Sequence, residues 1–294
     1  MRYRDLMVKE LKKTDLSKRT QETYLMYAQK LFRSYPNLTP AKFNEELVED
    51  WLLEMKEKEY AAGTIRIAKN GVRFFFEKVL PRPEWNIFQD FKPGKKTSRR
   101  PCLTIDEVWK TLNAIHTDHN RTALTLIYLC GLRLGECLNL EVQDVLKSEK
   151  ALHVHWAKGA KERNVPLPEK GLVMLRDHYF RHQHKCLLFP ALGRGHKDLR
   201  NAPLDKPMPS SSVQIVFKEA LKEVGIYKRN LSVHSLRHSY ATHLLELGVP
   251  IEHVKLLMGH TTLTTTAKYL HITPTGLEDT KKKIQDLAEP MSWL

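Results

Sequence analysis

Two arginines, two histidines, a lysine and a tyrosine follow one another in the order Arg133, Lys158, His234, Arg237, His260 and Tyr269. Together these residue types suit attack on a phosphodiester by a tyrosine hydroxyl. Negative charge gathers on the non-bridging oxygens of phosphorus in the transition state. A guanidinium offers them planar, paired donors and stays charged at any working pH. Arg133 and Arg237 each lie in or beside an apolar helical stretch, where an unpaired guanidinium is costly to bury, and could clamp both oxygens from two segments. His234, three residues before Arg237, could accept the tyrosine proton or bond a phosphate oxygen. Tyr269, nine residues after His260, would form an aryl–phosphate ester as the nucleophile. Lys158, or Lys161 beside it, sits in a hairpin turn from which an ammonium could protonate a leaving 5′ oxygen. Taken singly, each residue is an ordinary surface or core side chain; the set is what points to chemistry.

No metal site is expected. His238 and His243 are five residues apart, which places them on different faces of a helix, and there is no His-Glu-x-x-His pattern. Neither a phosphate-binding glycine loop nor a CxxC pair occurs.

The elements that must hold these residues are mostly helical. Ser17 is a cap for an amphipathic helix to Ser34, with Tyr24, Tyr27, Ala28, Leu31 and Phe32 at helical spacing. A second helix after Pro40 presents Phe43, Leu47, Trp51, Leu52 and Met55 on one face. A third, from about Ala61 to before Pro81, presents Ile65, Ile67, Val72, Phe75 and Phe76. Residues 89–102 are basic and contain proline and glycine, as a linker does. Thr104-Ile-Asp-Glu107 is a capping box that opens a second domain. The alternating runs Leu152–Trp156 and Arg163–Leu167 predict a β-hairpin whose turn carries Lys158 and Lys161. Helices are expected again at Glu169–His184, Ser210–Val224, Ser235–Leu247, Ile251–Met258 and Thr275–Leu287, with Tyr240, Leu244 and Leu245 as core positions and Gly259 at a helix end.

Charge supports a polyanionic partner. The chain of 294 residues carries a net +14. Residues 1–100 hold 22 basic and 14 acidic side chains, so +8 of that charge falls on the first domain and linker. The four cysteines are scattered, and Cys130 and Cys137 lie in an apolar helical stretch as buried thiols, which fits a reducing, cytoplasmic location. No apolar stretch approaches a bilayer span and no membrane association is expected.

Several segments resemble the tyrosine recombinase (phage integrase) family, including its Xer-like and integron-like members. They are Cys130-Gly-Leu-Arg-Leu-Gly-Glu136, Ala157-Lys-Gly-Ala-Lys-Glu-Arg-Asn-Val-Pro-Leu167, His234-Ser-Leu-Arg-His-Ser-Tyr-Ala-Thr-His243, Leu257-Met-Gly-His-Thr261 and Thr266-Ala-Lys-Tyr269. The resemblance implies a mainly α fold with a small β-sheet in the catalytic domain. It implies a two-domain DNA clamp: a helical core-binding domain over residues 1–88, a basic linker over 89–102, and a catalytic domain over 103–294 that ends in a tail helix. It further implies that Arg133 and Arg237 bind the scissile phosphate and that His234 accepts the tyrosine proton. His260 would hydrogen-bond the phosphate, Lys158 would protonate the leaving 5′ hydroxyl, and Tyr269 would become the 3′-phosphotyrosine. Glu136 would support the first arginine. The implied activity is site-specific recombination of double-stranded DNA by a homo-tetramer, without cofactor or metal, at the nucleoid. Two rivals are a type IB topoisomerase, which would relax supercoils without recombinant products, and a non-catalytic DNA-binding protein on the same fold, which has no need of Tyr269.

Overall fold

The computed structural model describes residues 2–94, 101–155, 162–192, 203–259 and 274–291. Lys158, Lys161, His260 and Tyr269 lie outside the described residues. The chain divides into two compact units, Met1–Ser98 and Arg99–Leu294.

Five helices build the first unit: α1 (Arg2–Lys12), α2 (Lys18–Ser34), α3 (Glu45–Glu57), α4 (Ala62–Lys78) and the single turn α5 (Ile87–Asp90). Ser17 caps α2 by accepting the Thr20 N–H at 3.2 Å, as its position predicts. Asn44 caps α3 in the same way, so this helix starts five residues after Pro40 and Phe43 packs from the connecting turn. Its core is aromatic. Phe32 meets Phe75 edge-on with ring centroids 4.9 Å apart, and Phe76 meets Trp85 at 4.5 Å. Each such side chain contributes on the order of 2–3 kcal/mol by leaving water. Ile67 departs from the expected buried face and is exposed, and Ala68 faces the core instead, whereas Ile65 is buried as expected.

The second unit holds α6 (Ile105–Asn113), α7 (Asp118–Leu129), the short α8 (Leu134–Leu138), α9 (Glu169–His182), α10 (Ser210–Glu223), α11 (Val233–Glu246), α12 (Ile251–Met258) and α13 (Pro274–Ala288). Both halves of the Thr104 capping box form, with Glu107 accepting the Thr104 N–H and Thr104 accepting the Glu107 N–H. Strands β1 (Val145–Leu146), β2 (Ala151–Val154) and β3 (Arg163–Pro166) form an antiparallel sheet in that order, with Val154 opposite Arg163 and Leu152 opposite Val165. A second pair, β4 (Pro190–Leu192) and β5 (Pro203–Pro207), was not expected. Prolines stand at both ends of β5 and weaken its strand pattern.

Helix α7 is the centre of this unit. All of its residues from Thr122 to Leu129 are buried, and α9, α10, α11 and α13 pack on it. Cys130 and Cys137 are buried thiols, as their apolar surroundings predict. His119 on α7, together with His178 and His182 on α9, forms a buried stack. His119 Nδ1 lies 3.3 Å from His178 Nε2, and His119 Nε2 lies 2.9 Å from the Pro190 carbonyl. Burial lowers all three, His119 and His182 to about 4, so they are neutral at pH 7. Leu245, expected in the core, is exposed on α11, whereas Tyr240 and Leu244 are fully buried. Among the described residues, no helix is long and apolar enough to cross a membrane.

Candidate active site

The site begins where α7 stops. Gly131 follows with φ +58°, and a Cβ there would lie 2.4 Å from the Tyr240 ring. Glycine therefore allows a left-handed turn to close against a buried aromatic side chain. Two residues later Arg133 opens α8. Glu136 folds back over that first turn, accepting the Arg133 N–H at 2.8 Å and one guanidinium N–H at 2.5 Å. A carboxylate here also meets the positive end of the short helix.

Two further arginines reach the same carboxylate from distant segments. Arg163 on β3 donates to both Glu136 oxygens, at 3.3 and 3.0 Å. Arg237 on α11 lies 3.5 Å from one of them and donates to the Gly131 carbonyl at 2.6 Å. Three guanidiniums thus surround one buried carboxylate. Burial acts to raise the Glu136 carboxyl, but hydrogen bonds from Arg163 and from the Arg133 backbone, with the field of the arginines, bring it down to about 2. Burial pulls Arg237 down to about 10, with Arg133 and Arg163 adding and Glu136 opposing, so it keeps its charge at pH 7.

The same three arginines also hold the end of α12. Arg163 donates through Nε to the Leu257 carbonyl at 2.8 Å, Arg237 donates to the Met258 carbonyl, and Arg133 donates to the Gly259 carbonyl at 3.4 Å. The last carbonyls of a helix have no partner within it and carry its negative end. Here three successive ones are met by cations. Gly259 ends the helix at φ +58°, as its sequence position predicts, and a Cβ on it would lie 2.9 Å from Arg163. His260 is the next residue in the chain.

Arg133, Glu136 and Arg237 are therefore brought together, with Glu136 on the first arginine as the resemblance implies. Arg133 is half-buried, whereas Arg237 is 1% exposed. His234 is the second residue of α11 and exposed, in contrast to Arg237 one turn on. It lines a cavity of about 270 Å³ with Leu134, Gln214, Lys218 and Ser232, so the cavity adjoins the residue after Arg133. His243 has a structural part: it lies 2.9 Å from both the Tyr128 hydroxyl and the Leu103 carbonyl, and burial lowers it.

Arg163 is the member of this cluster that the spacing of the motifs did not single out. A signal for it was present. Val165 and Leu167 are buried, so the period of two places Arg163 on the same inward phase of the strand. A charged residue on that phase requires a partner.

A helical unit, followed by a helical unit with a small antiparallel sheet and an arginine-ringed carboxylate, is the architecture of a tyrosine recombinase. Residues 101–275 match the phage integrase family, and residues 3–86 match the N-terminal SAM-like domain of phage integrases. The chain belongs to the phage integrase family. It is 30% identical over 289 residues to the putative integrase/recombinase y4qK of Sinorhizobium fredii, spanning 98% of this chain and 90% of that protein. It is 32% identical over 241 residues to the tyrosine recombinase XerC of Halalkalibacterium halodurans, spanning 79% and 78%. Among solved structures, a lambda integrase dimer bound to a COC′ core site superposes with a TM-score of 0.70 at 19% identity, covering 89% of this chain and 94% of that one. A lambda integrase tetramer bound to a Holliday junction superposes with a TM-score of 0.69 at 18% identity, covering 91% and 76%. At these identities the superpositions establish the fold.

Proposed function

We propose that this recombinase cuts and rejoins double-stranded DNA through a covalent link to Tyr269. The Tyr269 hydroxyl attacks phosphorus and passes its proton to His234. The bond from phosphorus to the 5′ oxygen breaks, and Lys158 protonates that oxygen as it leaves. Arg133, Arg237 and His260 stabilise the charge on the non-bridging oxygens. The 5′ hydroxyl of a partner strand then attacks the phosphotyrosine and releases Tyr269. One phosphoester replaces another, so the exchange is balanced without ATP.

The observation that carries this reading is the arginine cluster on Glu136. It fixes Arg133 and Arg237 and also grips the three carbonyls immediately before His260. The surplus of positive charge in residues 1–100 supports backbone contacts by the N-terminal unit and linker. Four copies acting on two duplexes is the assembly that the lambda integrase tetramer on a Holliday junction favours for this chain.

The test uses duplex oligonucleotides selected for binding by the protein, nicked so that cleavage releases a short strand and traps the intermediate. A protein–DNA adduct stable to detergent is expected with the wild type and none with Tyr269→Phe. An adduct of undiminished yield in Tyr269→Phe would refute the assignment of the nucleophile.

A further inference from the structure

The structure assigns a divalent metal site, of the zinc class, to His153, His155 and Glu162 at the base of the β2–β3 hairpin. The sheet register carries the first part of the argument. His153 on β2 lies opposite Asn164 on β3, and Val154 lies opposite Arg163 as the last registered pair, with His155 the residue after one strand and Glu162 the residue before the other. Side chains two apart on a strand share a face. His153, His155, Glu162 and Asn164 therefore stand on one side of the hairpin, away from buried Leu152, Val154 and Val165. One ligand atom from each of His153, His155 and Glu162 lies within 4.8 Å of the other two. His153 Nε2 is 3.8 Å from a Glu162 oxygen. Donors sharing a tetrahedral zinc ion stand about 3.4 Å apart, within reach of small rotations of half-exposed side chains.

The hydrogen bonds around the two imidazoles carry the second part. Asn164 donates through Nδ2 to Glu149 at 3.4 Å, which turns its carbonyl oxygen toward His153 Nδ1 at 2.8 Å. That oxygen only accepts, so His153 holds its proton on Nδ1 and presents a lone pair at Nε2. Asp144, with its side chain 3% exposed, accepts the Glu141 N–H through one oxygen and lies 2.5 Å from His155 Nε2 through the other. His155 therefore holds its proton on Nε2 and presents its lone pair at Nδ1. A carboxylate or amide oxygen fixing the far nitrogen of each ligand histidine is the outer arrangement of a metal site. Two nitrogens and one carboxylate leave a fourth position for water, and this mixed set favours zinc over magnesium or calcium. The paired strands flank residues 156–161, which include Lys158 and Lys161. An ion shared by His153, His155 and Glu162 would fix the separation of the two strands at that point. The site stands independently of the catalytic assignments above.

The experiment takes the full chain without an affinity tag, stripped with chelator and dialysed, and titrates it with Co2+ and then Zn2+. The visible band of four-coordinate Co2+ and calorimetry with Zn2+ report occupancy. One ion per chain at micromolar affinity is expected, with a loss of at least tenfold in His155→Gln and in Glu162→Gln. Asp144→Asn, which leaves all three ligands in place, is expected to weaken binding about tenfold or more. His116→Gln, at the exposed His116–Glu223 pair elsewhere in the same unit, must bind as the wild type does. Circular dichroism confirms that each variant is folded. No Co2+ band in the wild type at micromolar concentrations, or an unchanged titration in the double variant His153→Gln/His155→Gln, would overturn the site.

Discussion

Replacing Glu136 by glutamine probes the centre of the site most directly. The side chain keeps its shape and one carbonyl acceptor, but three guanidiniums lose the only carboxylate they share among the described residues. A carboxyl held at about 2 rather than its ordinary 4.5 is linked to about 3 kcal/mol of folding stability at neutral pH. Breaking a buried pair by removing one partner costs a similar about 3–5 kcal/mol. For a unit of roughly 200 residues, a loss of about 3 kcal/mol lowers Tm by about 6–12 °C. The sign follows from the direction of the shift. Stability from a depressed carboxyl is fully present above 4.5 and is lost as pH falls toward 2. The gap between wild type and Glu136→Gln is therefore constant near neutrality and begins to close below pH 4.5. Thermal and urea unfolding of both proteins, at pH 7 and in steps through the acid range, measure this. A gap under about 1 kcal/mol at pH 7 would show that the arginines do not depend on Glu136. The same samples in the nicked-duplex assay should yield less adduct, because Arg133 loses its anchor as well as its counter-charge.

Two other perturbations test neighbouring parts of the reasoning. Arg163→Met should lower the rate of adduct formation about tenfold or more, since it frees the Leu257 carbonyl and removes two of the four guanidinium contacts to Glu136, and Arg163→Lys should not restore it because one ammonium cannot make the paired contact; wild-type rates in either variant would remove Arg163 from the site. The buried His119–His178–His182 stack should make the protein acid-sensitive in a separate window: all three are depressed by burial, His119 and His182 to about 4 from an ordinary 6.5, so stability is whole above pH 6.5 and is lost as pH falls toward 4, and equal urea midpoints at pH 7 and pH 5 would contradict the burial of these rings as neutral groups.

Helices with strong periodicity or a recognisable start were legible in the sequence. Ser17, Thr104 and Gly259 mark ends that the structure reproduces, because caps act within one turn of chain. Helix α1 was not anticipated: its 11 residues are rich in charge, and among those whose burial is described only Met7 and Leu11 are buried. The β4–β5 pair escaped for another reason, since it depends on pairing between segments with almost no alternation of their own. Ile67 and Leu245 were misplaced because a helix's buried stripe is set by its neighbours, which periodicity alone does not reveal.

The site residues were legible as types, and Glu136 as a support for Arg133, yet the contacts of Arg163 and Arg237 to the same carboxylate were not. Spacing separates Glu136 from Arg163 by 27 positions and from Arg237 by 101. Only the β2–β3 register and the packing of α11 on α7 bring those two arginines to one carboxylate. Once there, their charge exceeds what Glu136 neutralises, and the excess is directed to carbonyls 257, 258 and 259. A helix end left unsatisfied would fray in water. Gripped by three cations, α12 ends at one defined residue, and the chain leaves it at Gly259, directly before His260. The cluster therefore orders two things at once, the guanidiniums proposed above to meet phosphate and the point from which the segment carrying His260 and Tyr269 departs. Glu136 contributes to both without being one of the residues that the mechanism places on the phosphate.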